Sequence, residues 1–252
     1  MYGDRPDPVS AATAFVAAQF PDARAAFLGD GVLGPARTPT SDLDVVVVLG
    51  PATDVPGRPS PPYRETFEHA GWITEAFVHD EESLRAWWAR DAARRVPSLI
   101  RMVGRSVVLL DAAGVAERLR DEAADLLVAG PPAPDAEELA ARRYALTNLL
   151  DDMAGCDDDA ELGYIAGAVL RDVGELALLV DGEWLGTGKG LPRRLAEHDA
   201  DLLERLVNGH RHVVLYGDTA VLHKTAVDVL VRAGGALLVG YRAAGAASPS
   251  PR

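Results

Sequence analysis

The sequence of 252 residues contains one cysteine, Cys156, so an internal disulfide is excluded and a reducing compartment is favoured. It has no apolar run near the ~18 residues that a membrane-spanning helix requires. Its first residues lack a basic segment followed by an apolar stretch, which is the pattern of a secretory signal. We therefore predict a cytoplasmic protein with no membrane partner.

The sequence is also short of basic residues. It has 25 Lys and Arg against 38 Asp and Glu, which gives a formal net charge of −13. Neutralisation of phosphates by basic side chains supplies most of the affinity of non-specific nucleic-acid binding, so this charge argues against such binding. It favours a cationic small molecule as a ligand. Solubility alone explains the same acidity.

The most informative segment runs from residue 25 to residue 50 and reads AAFLGDGVLGPARTPTSDLDVVVVLG. An apolar run, a long Gly/Pro/Thr-rich loop and a β-branched run predict strand, loop and strand. Asp42 and Asp44 open the second strand, and because side chains alternate, both carboxylates point the same way, about 7 Å apart. Asp is depleted in strands and like charges repel, so a bound divalent cation would offset both costs. The alternative makes Ser41 and Asp42 turn residues and places Asp44 at a solvated strand end.

Residues 72–78, WITEAFV, predict a further strand, in which Glu75 is the only acid. A carboxylate within an apolar strand is costly unless it is paired or bound to metal. The alternative is an exposed glutamate on an edge strand. Residues 64–70 before it are compatible with a short strand or a turn.

Gly29, followed by Ser41-Asp42-Leu43-Asp44 and a run of valines, resembles the signature of the DNA polymerase β-type nucleotidyltransferases. Among them it is most similar to the small bacterial enzymes related to kanamycin and streptomycin nucleotidyltransferases. The resemblance implies that Asp42, Asp44 and Glu75 bind two Mg²⁺ ions, with Glu75 as third ligand and catalytic base. It also implies that Gly29 and Ser41 lie at the nucleotide.

The activity that follows from this resemblance is transfer of a nucleoside monophosphate from ATP or another nucleoside triphosphate to a hydroxyl of a small-molecule acceptor, with release of pyrophosphate. An aminoglycoside-like antibiotic fits the acidic composition as the acceptor. The resemblance further implies that a lysine from the helical half reaches the triphosphate, and Lys189, between two glycines, is the candidate.

One position departs from the family pattern, because Asp30 stands where the family has a serine that holds the phosphates. An acid beside a triphosphate is unfavourable unless it is turned away or screened by metal. An alternative function is therefore a non-catalytic protein of this fold, either an antitoxin or a nucleotide-sensing binding partner.

Residues 29–34 also spell G-x-G-x-x-G, the dinucleotide-binding fingerprint. That fingerprint requires a helix to begin at the loop so that its N-terminus faces the pyrophosphate. Pro35 and Pro39 prevent a helix there, so the dinucleotide interpretation is not supported.

The proline-rich residues 130–134 mark the boundary between two predicted domains. With the family resemblance, this boundary predicts a nucleotidyltransferase catalytic domain over residues 1–130, a helical substrate-binding domain over residues 135–245 and a disordered tail over residues 246–252. The predicted class is α+β, with an N-terminal mixed sheet flanked by helices and a C-terminal all-α helical bundle.

A weaker signal lies near the end of the chain. Arg205 and His210 have the Arg-x4-His spacing of small helical ribonuclease toxins that accompany minimal nucleotidyltransferases. We predict helices over residues 193–207 and 220–233, and the pair Asn208-Gly209 predicts a break before His210 that would spoil a shared site.

Overall fold

The computed structural model describes residues 5–34, 37–50 and 58–243. The predicted α+β class is confirmed: a five-stranded mixed sheet is flanked by helices and followed by a helical C-terminal region. The chain divides into two compact units, Met1–Pro131 and Pro132–Arg252. The predicted tail, residues 246–252, lies outside the described residues.

The first unit contains the sheet, and its strands run in the order β3-β4-β2-β1-β5. Its elements are α1 (Pro8–Gln19), β1 (Ala23–Leu28), a short 3₁₀ helix (Asp30–Val32), β2 (Leu43–Leu49), β3 (Tyr63–His69), β4 (Trp72–His79), α2 (Glu81–Arg94), α3 (Ser98–Gly104), β5 (Val107–Asp111) and α4 (Val115–Ala129). The pair β2 and β4 is parallel, whereas β1 with β2, β1 with β5 and β3 with β4 are antiparallel. Residues 64–70, for which the sequence left strand or turn open, lie almost entirely in β3.

One face of the sheet packs against α1. The helix begins at Asp7, whose carboxylate accepts a hydrogen bond from the Ser10 amide at 2.9 Å. Phe15 of α1 is fully buried and belongs to the same core cluster as Val45 and Val47 of β2. Burying a large apolar side chain stabilises a fold by roughly 1.5–3 kcal/mol, so this layer supplies much of the stability of the unit.

The opposite face of the sheet lies beneath α2 and α3. Asp80 caps α2 through a reciprocal pair of hydrogen bonds with Ser83. Asp91, near the end of α2, is buried and accepts a 2.6 Å hydrogen bond from the Leu99 amide at the start of α3. Arg94 pairs with the same carboxylate at 3.0 Å. Burial raises the pKa of Asp91, while these hydrogen bonds oppose that rise, and the one from Leu99 ties the two helices together.

The second unit is helical throughout its described elements. These are α5 (Ala136–Gly155), α6 (Asp159–Val180), α7 (Gly190–His198), α8 (Ala200–Tyr216) and α9 (Ala220–Arg232). The predicted helix over residues 193–207 is divided at Asp199, whose carboxylate accepts a hydrogen bond from the Leu202 amide at 2.8 Å and so caps α8. No helix of the described residues is long and apolar enough to cross a membrane.

The predicted break before His210 is wrong, because α8 continues through Asn208 and Gly209. Gly209 packs closely on α9: a Cβ atom at this position would lie 2.8 Å from the Leu222 amide nitrogen. Tertiary packing therefore overrides the local turn preference of the Asn-Gly pair. In a continuous helix Arg205 and His210 project about 140° apart, which disfavours a shared site.

The close approach at Gly209 generates a stability prediction. Gly209→Ala places a methyl group against the backbone of α9, and we expect the free energy of unfolding to fall by ~1–3 kcal/mol. Gly163→Ala, in open space within α6, is the matched control and should raise the free energy of unfolding by ~0.5–1 kcal/mol. Urea unfolding followed by circular dichroism measures both, and equal effects would contradict the packing described here.

Candidate functional site

The three acids predicted from the sequence lie together at one point of the sheet. In the parallel register of β2 and β4, Asp44 is the direct partner of Glu75. Asp42 lies two residues before Asp44, just outside the start of β2. One carboxylate oxygen from each of the three residues lies within 4.8 Å of the other two, and all three side chains are partly buried. We call this group the acid cluster.

Glu75 is not on an edge strand, so the alternative interpretation of this residue is wrong. β4 lies between β3 and β2, and the Glu75 side chain retains only 20% of its exposure. Because parallel strands place paired residues side by side with the same orientation, the pairing holds the Glu75 carboxylate beside that of Asp44. The sheet itself therefore holds two of the three acids next to each other.

A tight turn fixes the approach to Asp42. The Ser41 hydroxyl accepts a hydrogen bond from the Thr38 amide at 2.9 Å, and the Ser41 amide donates to the Thr38 carbonyl at 3.1 Å. Arg5 donates to the Ser41 carbonyl at 3.2 Å from the segment before α1. Ser41, predicted at the nucleotide, thus uses its hydroxyl to shape the turn that leads into the acid cluster.

The end of β1 lies against the acid cluster. The Gly29 amide donates to the Asp44 carbonyl at 2.9 Å. A Cβ atom at Gly29 would lie 3.5 Å from the Asp44 Cβ and 3.6 Å from the Met102 Cγ. Gly29 is therefore next to the acids, and its predicted place at the nucleotide stays a prediction. Asp30 follows at the start of the 3₁₀ helix, and its side chain lies outside the described part of the structure.

Lys189 belongs to the second unit. It is exposed and precedes the first residue of α7, where its side chain makes no capping hydrogen bond. Its role at the triphosphate remains a prediction.

Arg64 is a member of the site that the sequence did not reveal. It lies on β3 and forms an ion pair with Glu75. Its guanidinium group also stacks over the Phe77 ring, 4.8 Å from the ring centroid. The arginine side chain is 56% exposed, so it is held loosely enough to move. Arg64 must leave Glu75 before the bonded oxygen can bind another cation or accept a proton.

The chemistry of the acid cluster suits a hard divalent cation. Mg²⁺ prefers carboxylate oxygens at about 2.1 Å, so two oxygens on opposite sides of one ion are about 4.2 Å apart. The three carboxylate oxygens of the cluster all lie within 4.8 Å of one another, which is close to that span. Side-chain movements of less than about 1 Å would bring the three groups into common coordination. Asp42, Asp44 and Glu75 are therefore the residues that fit a metal.

A cavity of about 250 Å³ opens on the same face of the sheet, beyond Glu75. Phe77 and His79 of β4 line it, together with Trp87 of α2 and Met102 of α3. His79 is 4% exposed, and its Nδ1 atom lies 3.3 Å from the Ser83 hydroxyl. Burial lowers the pKa of His79 to about 4, against the smaller opposing effect of the Asp80 charge. The imidazole is therefore neutral at pH 7.

Comparisons with known proteins add little information about function to what the site residues indicate. No family model matches the sequence, and no curated protein matches it. One similar solved structure is a nucleotidyltransferase-like protein from Exiguobacterium sibiricum. It is 11% identical, the match covers 90% of this chain and 73% of the other, and the TM-score is 0.41. At this level of similarity the match supports no particular function for the chain.

The ion pair between Arg64 and Glu75 predicts the effect of removing the arginine on metal affinity. Arg64→Ala frees Glu75 from a competing cation, and an exposed ion pair is worth ~0.2–1 kcal/mol. We therefore expect Mn²⁺, used as the probe ion, to bind about 1.4- to fivefold more tightly in a calorimetric titration.

Two further variants control for charge. Arg64→Lys keeps the positive charge at the site and should stay near the wild-type affinity. Arg105→Ala removes an exposed arginine of the same unit, outside the ion pair with Glu75, and should leave the affinity unchanged. Weaker binding in Arg64→Ala would mean that the arginine supports the metal site instead of competing for it.

Buried His79 predicts a dependence of stability on pH. The unfolded imidazole titrates near 6.5 and the folded one near 4, so below pH 6.5 the unfolded state binds more protons and stability falls. Between pH 7.5 and pH 5 this residue should cost about 2 kcal/mol of unfolding free energy. His79→Gln should show a correspondingly smaller decrease in urea unfolding. An unchanged decrease would show that His79 is not the group responsible.

Proposed function

We propose that this protein is a metal-dependent nucleotidyltransferase of the DNA polymerase β-type superfamily. It would transfer a nucleoside monophosphate from ATP or another nucleoside triphosphate to a hydroxyl of a small-molecule acceptor. The observation that supports this proposal is the convergence of Asp42 and Asp44 with Glu75, which comes from a later strand of the chain. A purely structural role gives no reason to gather three carboxylates at one point of the sheet.

Each acid has a distinct place in the proposed reaction. Asp42, which follows the turn, and Asp44, which lies beside the end of β1, would hold the metal ions that accompany the triphosphate. Bound Mg²⁺ would offset the phosphate charge and lower the pKa of the acceptor hydroxyl. Glu75, on the far side of Asp44 from β1, would accept the hydroxyl proton once Arg64 has moved away.

In this proposal the loop after β1 lies beside the triphosphate. Gly29 lies next to Asp44, so a triphosphate held by the metal ions would pass close to the backbone of this loop. Lys189 of the second unit remains the proposed group that reaches the phosphates. The net charge of −13 supports a cationic acceptor, with an aminoglycoside as the first compound class to test.

A second candidate function is a non-catalytic binding protein of the same fold. The ion pair between Arg64 and Glu75 favours it, because a cation supplied by the chain itself neutralises part of the cluster. The Asp30 side chain, in place of the family serine, favours it as well. Pyrophosphate release from each of the four nucleoside triphosphates with Mg²⁺, with and without an acceptor panel, separates the two candidates.

Substitutions in the acid cluster give the sharpest test of the proposed roles. Asp42→Asn and Asp44→Asn should remove metal affinity and turnover together, because each removes a ligand charge. Glu75→Gln should spare nucleotide binding and lower turnover by ~10²–10⁴-fold, the usual contribution of a general base. Calorimetry with Mg·ATP and a pyrophosphate-release assay measure the two effects separately.

Glu65→Gln is the matched control for these variants. Glu65 is an exposed glutamate on β3, next in sequence to Arg64, and its removal should leave both readouts unchanged. Retained turnover in Asp44→Asn would rule out the acid cluster as the reaction centre.

A further inference from the structure

The cavity beyond Glu75 has aromatic walls. Tyr63 of β3, Phe77 and His79 of β4, and Trp87 of α2 contribute rings to its lining, and we call it the aromatic cavity. His79 and Trp87 meet edge to face, with ring centroids 6.3 Å apart. Aromatic side chains that line a concave site present flat apolar surfaces, and such surfaces favour a planar ring as the ligand.

The charged groups at the aromatic cavity are paired with one another. The Arg94 guanidinium pairs with Asp91, and that carboxylate also accepts a hydrogen bond from the Leu99 amide. Arg64 pairs with Glu75. A cationic ligand would therefore have to compete with two guanidinium groups for the nearby carboxylates. A neutral ring would meet no such competition.

One hydrogen-bond donor in the wall has no partner in the described part of the chain. The Trp87 Nε1 atom is buried and makes no hydrogen bond there. An atom with so little accessible surface does not face the open cavity, so Trp87 contributes the apolar surface of its ring to the wall and not its N–H. The neutral His79 ring lines the same wall.

The aromatic cavity adjoins the acid cluster. Glu75 and Phe77 are two residues apart on one strand, so their side chains share a face and lie about 7 Å apart along it. Arg64 contacts both of them and lines the cavity. A ring bound in the cavity would thus lie within one side-chain spacing of Glu75.

The size of the cavity limits what it can hold. Its volume of about 250 Å³ is below the roughly 300–1,000 Å³ typical of sites for whole drug-sized ligands. It corresponds to the volume of about eight water molecules. This is enough for one ring system, whereas a complete nucleotide or a multi-ring aminoglycoside would not fit inside it.

We propose that the aromatic cavity binds the planar aromatic ring of one of the two substrates that react at the acid cluster. This inference rests on the proposed function. Either substrate can supply such a ring. The nucleoside triphosphate has its base, and an acceptor can carry an aromatic group. Both rings share the chemistry of a flat apolar surface, and the arms of the experiment separate them.

The indole N–H signals of the protein provide a local readout of binding. The chain has four tryptophans, of which Trp87 lines the aromatic cavity and Trp184 lies in the second unit. Loss of one signal in Trp87→Phe assigns the Trp87 resonance in a ¹H–¹⁵N spectrum. The probes are adenosine, 2-phenylethanol, 2-cyclohexylethanol and kanamycin, each titrated into the protein with EDTA present.

We expect the Trp87 signal to shift saturably with adenosine or with 2-phenylethanol while the Trp184 signal stays fixed. A shift with adenosine alone identifies the nucleobase as the ligand, and a shift with 2-phenylethanol alone identifies an aromatic acceptor. A shift with both supports a general ring site. A response to 2-cyclohexylethanol equal to that of 2-phenylethanol, saturable binding of kanamycin at Trp87, or no shift with any probe would overturn the proposal.

A variant that fills the cavity completes the test. Ser98 lines the cavity and is exposed, so Ser98→Phe can place a ring in the cavity without disturbing the core. We expect it to weaken the affinity of the responding probe by at least about tenfold. Ala89→Phe, at an exposed position of α2 outside the lining, should keep the wild-type affinity. An unchanged affinity in Ser98→Phe would mean that the probe binds elsewhere.

The EDTA in these titrations keeps the two proposals separate. A protein that releases pyrophosphate with Mg²⁺ but shows no Trp87 shift would keep the proposed function and lose the aromatic cavity as a substrate site. A protein that binds the ring but neither metal nor nucleotide would keep a ring-binding site and lose the nucleotidyltransferase proposal.

Discussion

The parallel pairing of β2 with β4 is the constraint on which the site depends. It places Asp44 directly beside Glu75, and Asp42 follows from its position two residues earlier. Like charges at this spacing repel each other. A sheet withstands that repulsion only when its other pairings and its core are strong. The buried layer beneath α1, with Phe15 and the valines of β2, supplies this strength.

Side chains alternate along the central strands, so one face of the sheet forms the core and the other carries the site. On β2, Val45 and Val47 face the core under α1, while Asp44 faces the other side. On β4, Ala76 and Val78 belong to that core, whereas Glu75 and its neighbours on the same face form the acid cluster and the wall of the cavity. A one-residue slip of either strand would exchange the faces and bury the acids in the core. Stability and site therefore depend on the same register.

The sequence predicted those parts of the structure that depend on local residue patterns. The Asp-x-Asp spacing and the apolar strand around Glu75 are both local signals. Arg64 and the aromatic cavity were not predictable, because they depend on which strand lies beside β4 and on how α2 packs over it. At Gly209 a local signal was misleading. The Asn-Gly pair predicts a break, but close packing against Leu222 keeps the helix continuous.

Charge decides how the ion pair between Arg64 and Glu75 bears on function. The three acids carry a formal charge of −3 and Arg64 carries +1, so the four groups together remain at −2. The arginine is more than half exposed, and such a pair stabilises a protein by less than about 1 kcal/mol. A divalent cation brings twice the charge of the guanidinium group to the same carboxylates. The acid cluster therefore attracts a divalent cation more strongly than it holds the guanidinium group. The ion pair by itself does not make the protein non-catalytic, because Arg64 can be displaced at low cost.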